Sequence, residues 1–197
     1  MKESIIIIMT AVLTNNCVLF KFMGICPFLG ATKKNRSAFY MSAATGIVMI
    51  LSSALTWLLW NRILMPYNAR YLRTLVFLIV IAAVTAILDM LLKLFKSEIA
   101  EGMGIYLPLI ATNCAVLGLC VGNAAGNYTF GAALANAVGT ALGFAVAMFM
   151  FSGVRERIEH SDIPESFKGA PSALIAAGIL SLSFIGFTGL GVGLFGM

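Results

Sequence analysis

Long apolar stretches without charge alternate with short charged clusters along this chain of 197 residues. Between Glu3 and Lys21 lie 17 uncharged residues, and between Arg36 and Arg62 there are 25. About 20 apolar residues in a helix cross the roughly 30 Å hydrocarbon core of a bilayer. Each of these two stretches therefore predicts a membrane-spanning helix.

The rest of the chain supplies four more predicted spans. The third begins near Arg73, and the sixth follows Lys168. The 53 uncharged residues between Glu101 and Arg155 are too many for one crossing. The sequence GNAAGNY at 122–128 is the natural turn that divides them into spans four and five. The pattern therefore predicts an all-α integral membrane protein with six transmembrane helices.

Composition and charge agree with this class. Hydrophobic residues make up 60% of the chain and charged residues only 11%, and a soluble domain with this composition would expose large apolar patches. The formal net charge of +5 does not predict nucleic-acid binding, because the basic residues flank the apolar stretches. The loops after spans one, three and five carry eight basic residues against four on the opposite side. Both termini are therefore expected outside the cytoplasm.

A five-residue pattern, Cys-x-x-Leu-Gly, occurs twice, at 26–30 and 114–118. It falls early in each half of a single membrane domain, 1–197, which divides into a first three-helix repeat, 1–98, and a second, 99–197. Because three is an odd number, the second repeat enters the membrane from the opposite face. The pattern therefore predicts two inverted repeats.

Glycines and prolines near both patterns predict that the first helix of each repeat is broken. The expected breaks are Gly24–Gly30 and Gly102–Pro108. Pro27 lacks a backbone donor and biases Cys26 away from helical conformation. Irregular backbone at membrane depth must be buried in protein or line a cavity, so we expect both cysteine segments near the bilayer midplane.

All four cysteines lie in apolar surroundings, and none is in a hydrophilic loop that would favour a secreted-type disulfide. We interpret Cys17 and Cys120 as small buried hydrophobic residues. If Cys26 and Cys114 meet, their thiols could form a disulfide, bind a metal or hold half of an iron–sulfur cluster; packing alone is the simpler alternative. A 2Fe–2S cluster normally needs four thiolates, so a second chain would supply the other two.

Four stretches carry a resemblance that covers essentially the whole chain. LTNNCVLFKFMGICPFLGATKK, YLRTLVFLIVIAAVT, MGIYLPLIATNCAVLG and VRERIEHSDIPESFKGAP resemble the A-type subunits of Rnf complexes. The same family includes the E-type Rnf subunits and the D and E subunits of the Na⁺-translocating NADH:quinone oxidoreductase. The Asn15-Asn16 pair and Cys-Pro-Phe-Leu-Gly resemble the A type, and the E subunit of the quinone reductase is the nearest alternative.

The resemblance implies an electron-relay subunit of an ion-translocating ferredoxin:NAD⁺ oxidoreductase in a prokaryotic cytoplasmic (inner) membrane. Cys26 and Cys114 match the family's ligands to an intramembrane 2Fe–2S cluster shared with an E-type homologous subunit. Electron transfer would be coupled to Na⁺ or H⁺ transport, without a complete active site in this chain. Flavins and further clusters are expected on other subunits only, and the expected partners include the B, C, D and G subunits and the lipid bilayer.

Several polar residues have both a functional and a structural interpretation. Asn16, Thr112 and Asn113 are candidate donors to cluster sulfur, and the alternative for the asparagines is hydrogen bonding between helices. Asp89 lies four residues before Lys93, which predicts an ion pair at the membrane surface. The resemblance supports a different role for Asp89, on an ion path.

Two other classes of function fit part of the pattern. Inverted repeats with broken helices also occur in small secondary transporters, and a purely structural assembly protein would leave the cysteines dispensable. The segment RERIEHSDIPE at 155–165 carries both signs of charge and predicts a solvated cytoplasmic loop in which His160 is exposed.

Overall fold

The computed structural model describes residues 7–14, 16–31, 35–66, 70–95, 107–161, 164 and 167–195. Over these residues the regular elements are all helical. π-Helical turns occur at Thr10–Thr14 and Trp60–Leu64, and a 3₁₀ turn at Arg70–Leu72. The α-helices are α1 Ile25–Ala31, α2 Asn35–Leu59, α3 Arg73–Phe95, α4 Leu107–Ala111, α5 Cys114–Ala125, α6 Phe130–Glu159 and α7 Ala170–Phe195.

Three helical stretches are long and apolar enough to cross a membrane: Ala38–Leu64, Arg73–Leu91 and Phe130–Ile158. They coincide with the second, third and fifth predicted spans. Leu109–Ala125 and Pro171–Gly186 form shorter apolar helices where the fourth and sixth spans are predicted. The all-helical membrane class is therefore confirmed, whereas the count of six spans stays a prediction.

The two long helices α2 and α6 pack against each other in antiparallel orientation. At one end the rings of Phe39 and Phe149 have centroids 6.0 Å apart, and at the other Trp57 and Phe130 are 5.1 Å apart. The indole N–H of Trp57 also donates to the carbonyl of Tyr128 at 2.8 Å. The end of α2 is thereby joined to the turn between α5 and α6.

Small residues on α6 let the N-terminal helical segment approach closely. A Cβ at Gly139 would lie 2.9 Å from Cβ of Ala11 and 3.0 Å from Cα of Ile8. A Cβ at Gly143 would lie 3.2 Å from the carbonyl oxygen of Ala11. Larger side chains would therefore separate the two helices, as in small-xxx-small packing of membrane helices.

The first break does not occur at Pro27. Helix α1 begins at Ile25, so Cys26 and Pro27 are both helical and lie in its first turn. The first N–H groups of a helix have no partner within the helix, so the missing N–H of proline costs little there. The predicted bias of Cys26 away from helix is therefore wrong, and the irregular backbone precedes it, with positive φ at Phe22 (53°) and Gly24 (88°).

An interruption also lies in the second half of the chain, whereas most of the break predicted there, Gly102–Pro108, falls outside the described residues. Pro108 lies in the first turn of α4, and the interruption follows at Thr112 and Asn113, directly before α5 begins at Cys114. The glycines at 102 and 104, where this break was predicted, are outside the described residues. The interruption therefore adjoins the cysteine.

The predicted loop at 155–165 is partly helical. Helix α6 continues through Glu159 because its charged residues are good helix formers. His160 follows the helix and is exposed, as predicted, with Nδ1 2.8 Å from the carbonyl oxygen of Glu156.

Candidate cofactor site at the two helix breaks

Asn16 anchors the start of the first break. Its side chain is 2% exposed. Its Oδ1 accepts the N–H of Val18 at 3.0 Å, and its Nδ2 donates to the carbonyl of Gly143 at 2.9 Å and to that of Val12 at 3.3 Å. The amide thereby satisfies backbone groups that the end of the helix leaves unpaired. It also fixes the chain to α6 before the segment that leads to Cys26.

The segment after Asn16 turns sharply and reaches α5. The N–H of Met23 donates to the carbonyl of Cys17 at 2.9 Å and closes the turn. Gly24 follows with a φ of +88°, which favours glycine. A Cβ at Gly24 would also lie 3.1 Å from Cε2 of Phe144 and 3.3 Å from Cβ of Ala115. The backbone conformation therefore favours glycine here, and any larger residue would also need these neighbours to shift.

A hydrogen bond joins the two cysteine segments. The backbone N–H of Gly24, two residues before Cys26, donates to Sγ of Cys114 at 2.9 Å. Cys114 is the first residue of α5, and Asn113 caps this helix by accepting the N–H of Ala115 on Oδ1. The sulfur of Cys114 therefore lies at the first turn of α5 and accepts a hydrogen bond from the segment that leads to Cys26.

The glycines of the two pentapeptides have matching roles. The side chain of Met23 lies directly over Gly118, so that a Cβ at 118 would overlap its Sδ. A Cβ at Gly30 would lie 3.3 Å from Cδ2 of Leu109. Each glycine is four residues after its cysteine and on the same helix face. The repeated spacing thus leaves room beside each cysteine for the segment that precedes the other one.

The four cysteines divide into two pairs by exposure. All are free thiols; Cys26 and Cys114 are exposed, whereas Cys17 and Cys120 are 8% and 1% exposed. The prediction that Cys17 and Cys120 are buried is confirmed. Within the described ranges, three or more His, Cys, Asp or Glu side chains never gather as a metal site. The chain therefore presents two accessible thiols, Cys26 in the first turn of α1 and Cys114 at the start of α5.

Of the other predicted site residues, Asn113 and Thr112 adjoin Cys114, whereas Asp89 lies on a different helix. Asn113 is buried beside Cys114, and Thr112 is exposed in the same break. Asp89 is half-buried on α3 and far from both breaks in the sequence. The side chain of Lys93 is outside the described residues, so the ion pair between Asp89 and Lys93 stays a prediction.

The break predicted at Gly24–Gly30 indicates freed backbone N–H groups as candidate donors, and the N–H of Gly24 does donate to Cys114. Sequence reasoning missed Met23 as the packing partner of Gly118.

The fold and the site define a class of protein: a membrane protein with two interrupted helices and a thiol beside each interruption. The sequence places it further: residues 4–191 match the family described as Rnf-Nqr subunit, membrane protein. The chain belongs to this family.

Relatives from several bacteria are similar over nearly their whole length. The chain is 45% identical over 190 residues to the A-type subunit of the ion-translocating oxidoreductase complex of Azoarcus sp., covering 96% of this chain and 98% of the relative. It is 42% identical over 189 residues to the A-type subunit of the Na⁺-translocating ferredoxin:NAD⁺ oxidoreductase complex of Acetobacterium woodii, with 96% and 98% covered. The corresponding ion-translocating oxidoreductase protein of Shewanella oneidensis is 43% identical over 190 residues, with 96% and 99% covered.

Proposed function

We propose that this chain is the membrane electron-relay subunit of an Rnf-type ion-translocating oxidoreductase, in which Cys26 and Cys114 supply two of the four thiolates of a 2Fe–2S cluster. The observation that carries the proposal is the bond from the N–H of Gly24 to Sγ of Cys114, because it joins the segment of one exposed thiol to the other thiol. The names of the relatives support the reaction class, ferredoxin to NAD⁺ electron transfer with ion transport.

The surroundings of the thiols fit an anionic iron–sulfur group. A cluster held by thiolates carries negative charge, which is costly in a low dielectric unless donors offset it. The N–H of Gly24 already donates to one of the sulfurs. Both thiols are exposed at the surface of the chain, so a second protein can reach them with its own pair. We propose an E-type homologue as that partner, within a complex that also contains the B, C, D and G subunits.

When bound, a 2Fe–2S cluster supplies one-electron transfer, with a potential set by its hydrogen bonds and exposure. The residues of this chain hold it in place. Asn16 fixes the segment before Cys26 to α6, and the cap at Asn113 fixes the first turn of α5. Met23 and Leu109 pack on the two glycines and hold the two breaks against each other.

The reciprocal packing also supports the inverted repeats. Met23 of the first half contacts Gly118 of the second, and Leu109 of the second half faces Gly30 of the first. The antiparallel pairing of α2 and α6 agrees with this relation. We therefore retain six spans with both termini outside the cytoplasm, in the cytoplasmic membrane, as the proposed topology.

The test compares single cysteine variants in the purified assembled complex. Cys26→Ser and Cys114→Ser should each remove one 2Fe–2S signal from the dithionite-reduced EPR spectrum, together with about two irons per complex. Cys17→Ser and Cys120→Ser are the matched controls, because these thiols are buried, and both should retain the signal. All variants must retain their subunits. An unchanged spectrum in Cys26→Ser and Cys114→Ser would overturn the relay function and favour a transporter or an assembly protein.

A further inference from the structure

Asn113 has a buried amide group whose donor has no partner among the described residues. The residue is 2% exposed, and its Oδ1 accepts the N–H of Ala115 at 3.0 Å. This bond fixes which end of the amide faces the helix. The remaining atom, Nδ2, is buried and makes no hydrogen bond to any atom in the part of the chain that the structure describes. A buried donor left unpaired is destabilising, so its retention needs an explanation.

Asn16 shows what a purely structural asparagine does in the same arrangement. It is equally buried, and its Oδ1 accepts the N–H two residues ahead, that of Val18, at the same 3.0 Å. Its Nδ2, however, donates to the carbonyls of Gly143 and Val12. Local capping and packing therefore account for both ends of the Asn16 amide but for only one end of the Asn113 amide.

The unpaired donor belongs to the residue directly before Cys114. The N–H of Gly24 donates to Sγ of Cys114, and a Cβ at Gly24 would lie 3.4 Å from Oδ1 of Asn113. The Asn113 side chain thus lies close to the residue that donates to the sulfur. We propose that the Asn113 amide N–H donates a hydrogen bond to a sulfur atom of the cluster held through Cys114, and thereby raises the reduction potential of that cluster.

The direction of the effect follows from charge. Reduction adds one electron, so the reduced cluster is more negative and gains more from a donor than the oxidised cluster does. Removing the donor should lower the midpoint potential. This inference rests on the proposed function, since it requires a cluster at Cys26 and Cys114.

The first test is an EPR-monitored redox titration of the assembled complex carrying Asn113→Ser. Serine retains an oxygen for the cap of α5 but has no amide N–H. The midpoint potential of the cluster should fall relative to that of the unaltered complex. Asn123→Ser is the matched control, because Asn123 is a buried asparagine of the same helix, outside the cofactor site, whose donor is already used by Oγ of Ser53, and it should leave the potential unchanged. An unmoved potential in Asn113→Ser, or an equal shift in Asn123→Ser, would overturn the proposal.

A measurement on the unaltered protein covers the case in which Asn113→Ser does not assemble. In a complex grown with asparagine labelled by ¹⁵N in the side chain, pulsed EPR should detect a ¹⁵N coupling to the reduced cluster; its absence would overturn the role of Asn113 while leaving the relay function intact. If the unaltered complex has no 2Fe–2S signal that depends on Cys26 and Cys114, both proposals fail together.

Discussion

The side chain of Met23 rests on Gly118, one helical turn beyond Cys114. Met23 belongs to the irregular segment that leads to Cys26, so this contact and the bond from Gly24 hold the two breaks together at adjacent points. Gly30 and Leu109 make the corresponding contact from the other side. The contact between the two breaks is therefore formed by side-chain packing as well as by the hydrogen bond to Cys114.

Gly118→Ala should destabilise the contact between the breaks. The new Cβ overlaps Sδ of Met23, so this flexible side chain must move and lose its packing on α5, at a cost of about 1 kcal/mol, the low end of the range for overpacking. The melting temperature of the detergent-solubilised complex should fall, and adding Met23→Ala should recover part of the loss by making room. Gly122→Ala is the control, because nothing lies within 4 Å of a Cβ at that position of the same helix. Equal melting temperatures for the two alanine variants would contradict this packing.

A buried polar network joins α2, α5 and α6. Nδ2 of Asn123 donates to Oγ of Ser53 at 2.9 Å, and Nδ2 of Asn136 donates to Oδ1 of Asn123 at 2.7 Å. A double-mutant cycle between Asn123→Ala and Ser53→Ala should give a favourable coupling of about 0.6 kcal/mol, the average for hydrogen bonds between membrane helices. Additive effects on the free energy of unfolding would show that the pair contributes nothing.

The two exposed cysteines should react with a thiol reagent faster than the two buried ones. In the isolated chain in detergent, a maleimide should modify Cys26 and Cys114 well before Cys17 and Cys120, which are buried. Mass spectrometry of the digested protein measures the order of labelling. In the assembled complex, the first pair should become protected as well. Labelling of all four cysteines at one rate would contradict the packing of Cys17 and Cys120.

Asp89→Asn should lower ion transport more than electron transfer. Asp89 is half-buried, whereas its neighbours Ile87 and Met90 are 61% and 68% exposed, so the carboxylate is on a less exposed face than these apolar side chains. Carboxylates that face a bundle interior at membrane depth mark ion pathways. Ion uptake and NAD⁺ reduction by the variant complex in liposomes should be compared at equal assembly. Unaltered coupling would restrict Asp89 to an ion pair at the membrane surface.

The long spans were predictable because charge marks their ends. The interval from Arg36 to Arg62 predicts a helix that the structure gives as Ala38–Leu64. The breaks were less predictable, since Pro27 and Pro108 resemble helix breakers in sequence although each lies in a first turn that tolerates proline.

The candidate cysteines were also within reach of sequence, whereas their contacts were not. The repeated pentapeptide singles out Cys26 and Cys114. It does not show whether their side chains are buried or exposed. The donor to Cys114, Gly24, lies 90 residues away along the chain. The packing around Gly24 depends on Phe144 of α6, and no local pattern encodes a neighbour so distant.

The N-terminal segment packs against Gly139 and Gly143, and this contact constrains the order in which the chain can fold during synthesis. Translation produces this segment first, but its groove and the carbonyl that receives Asn16 belong to α6, which emerges much later. Until then the stretch before Cys26 has no fixed support. Any cofactor shared by the two thiols must therefore enter after most of the chain has been synthesised. A nascent chain that stops after α5 would contain both cysteines without the helix that aligns them.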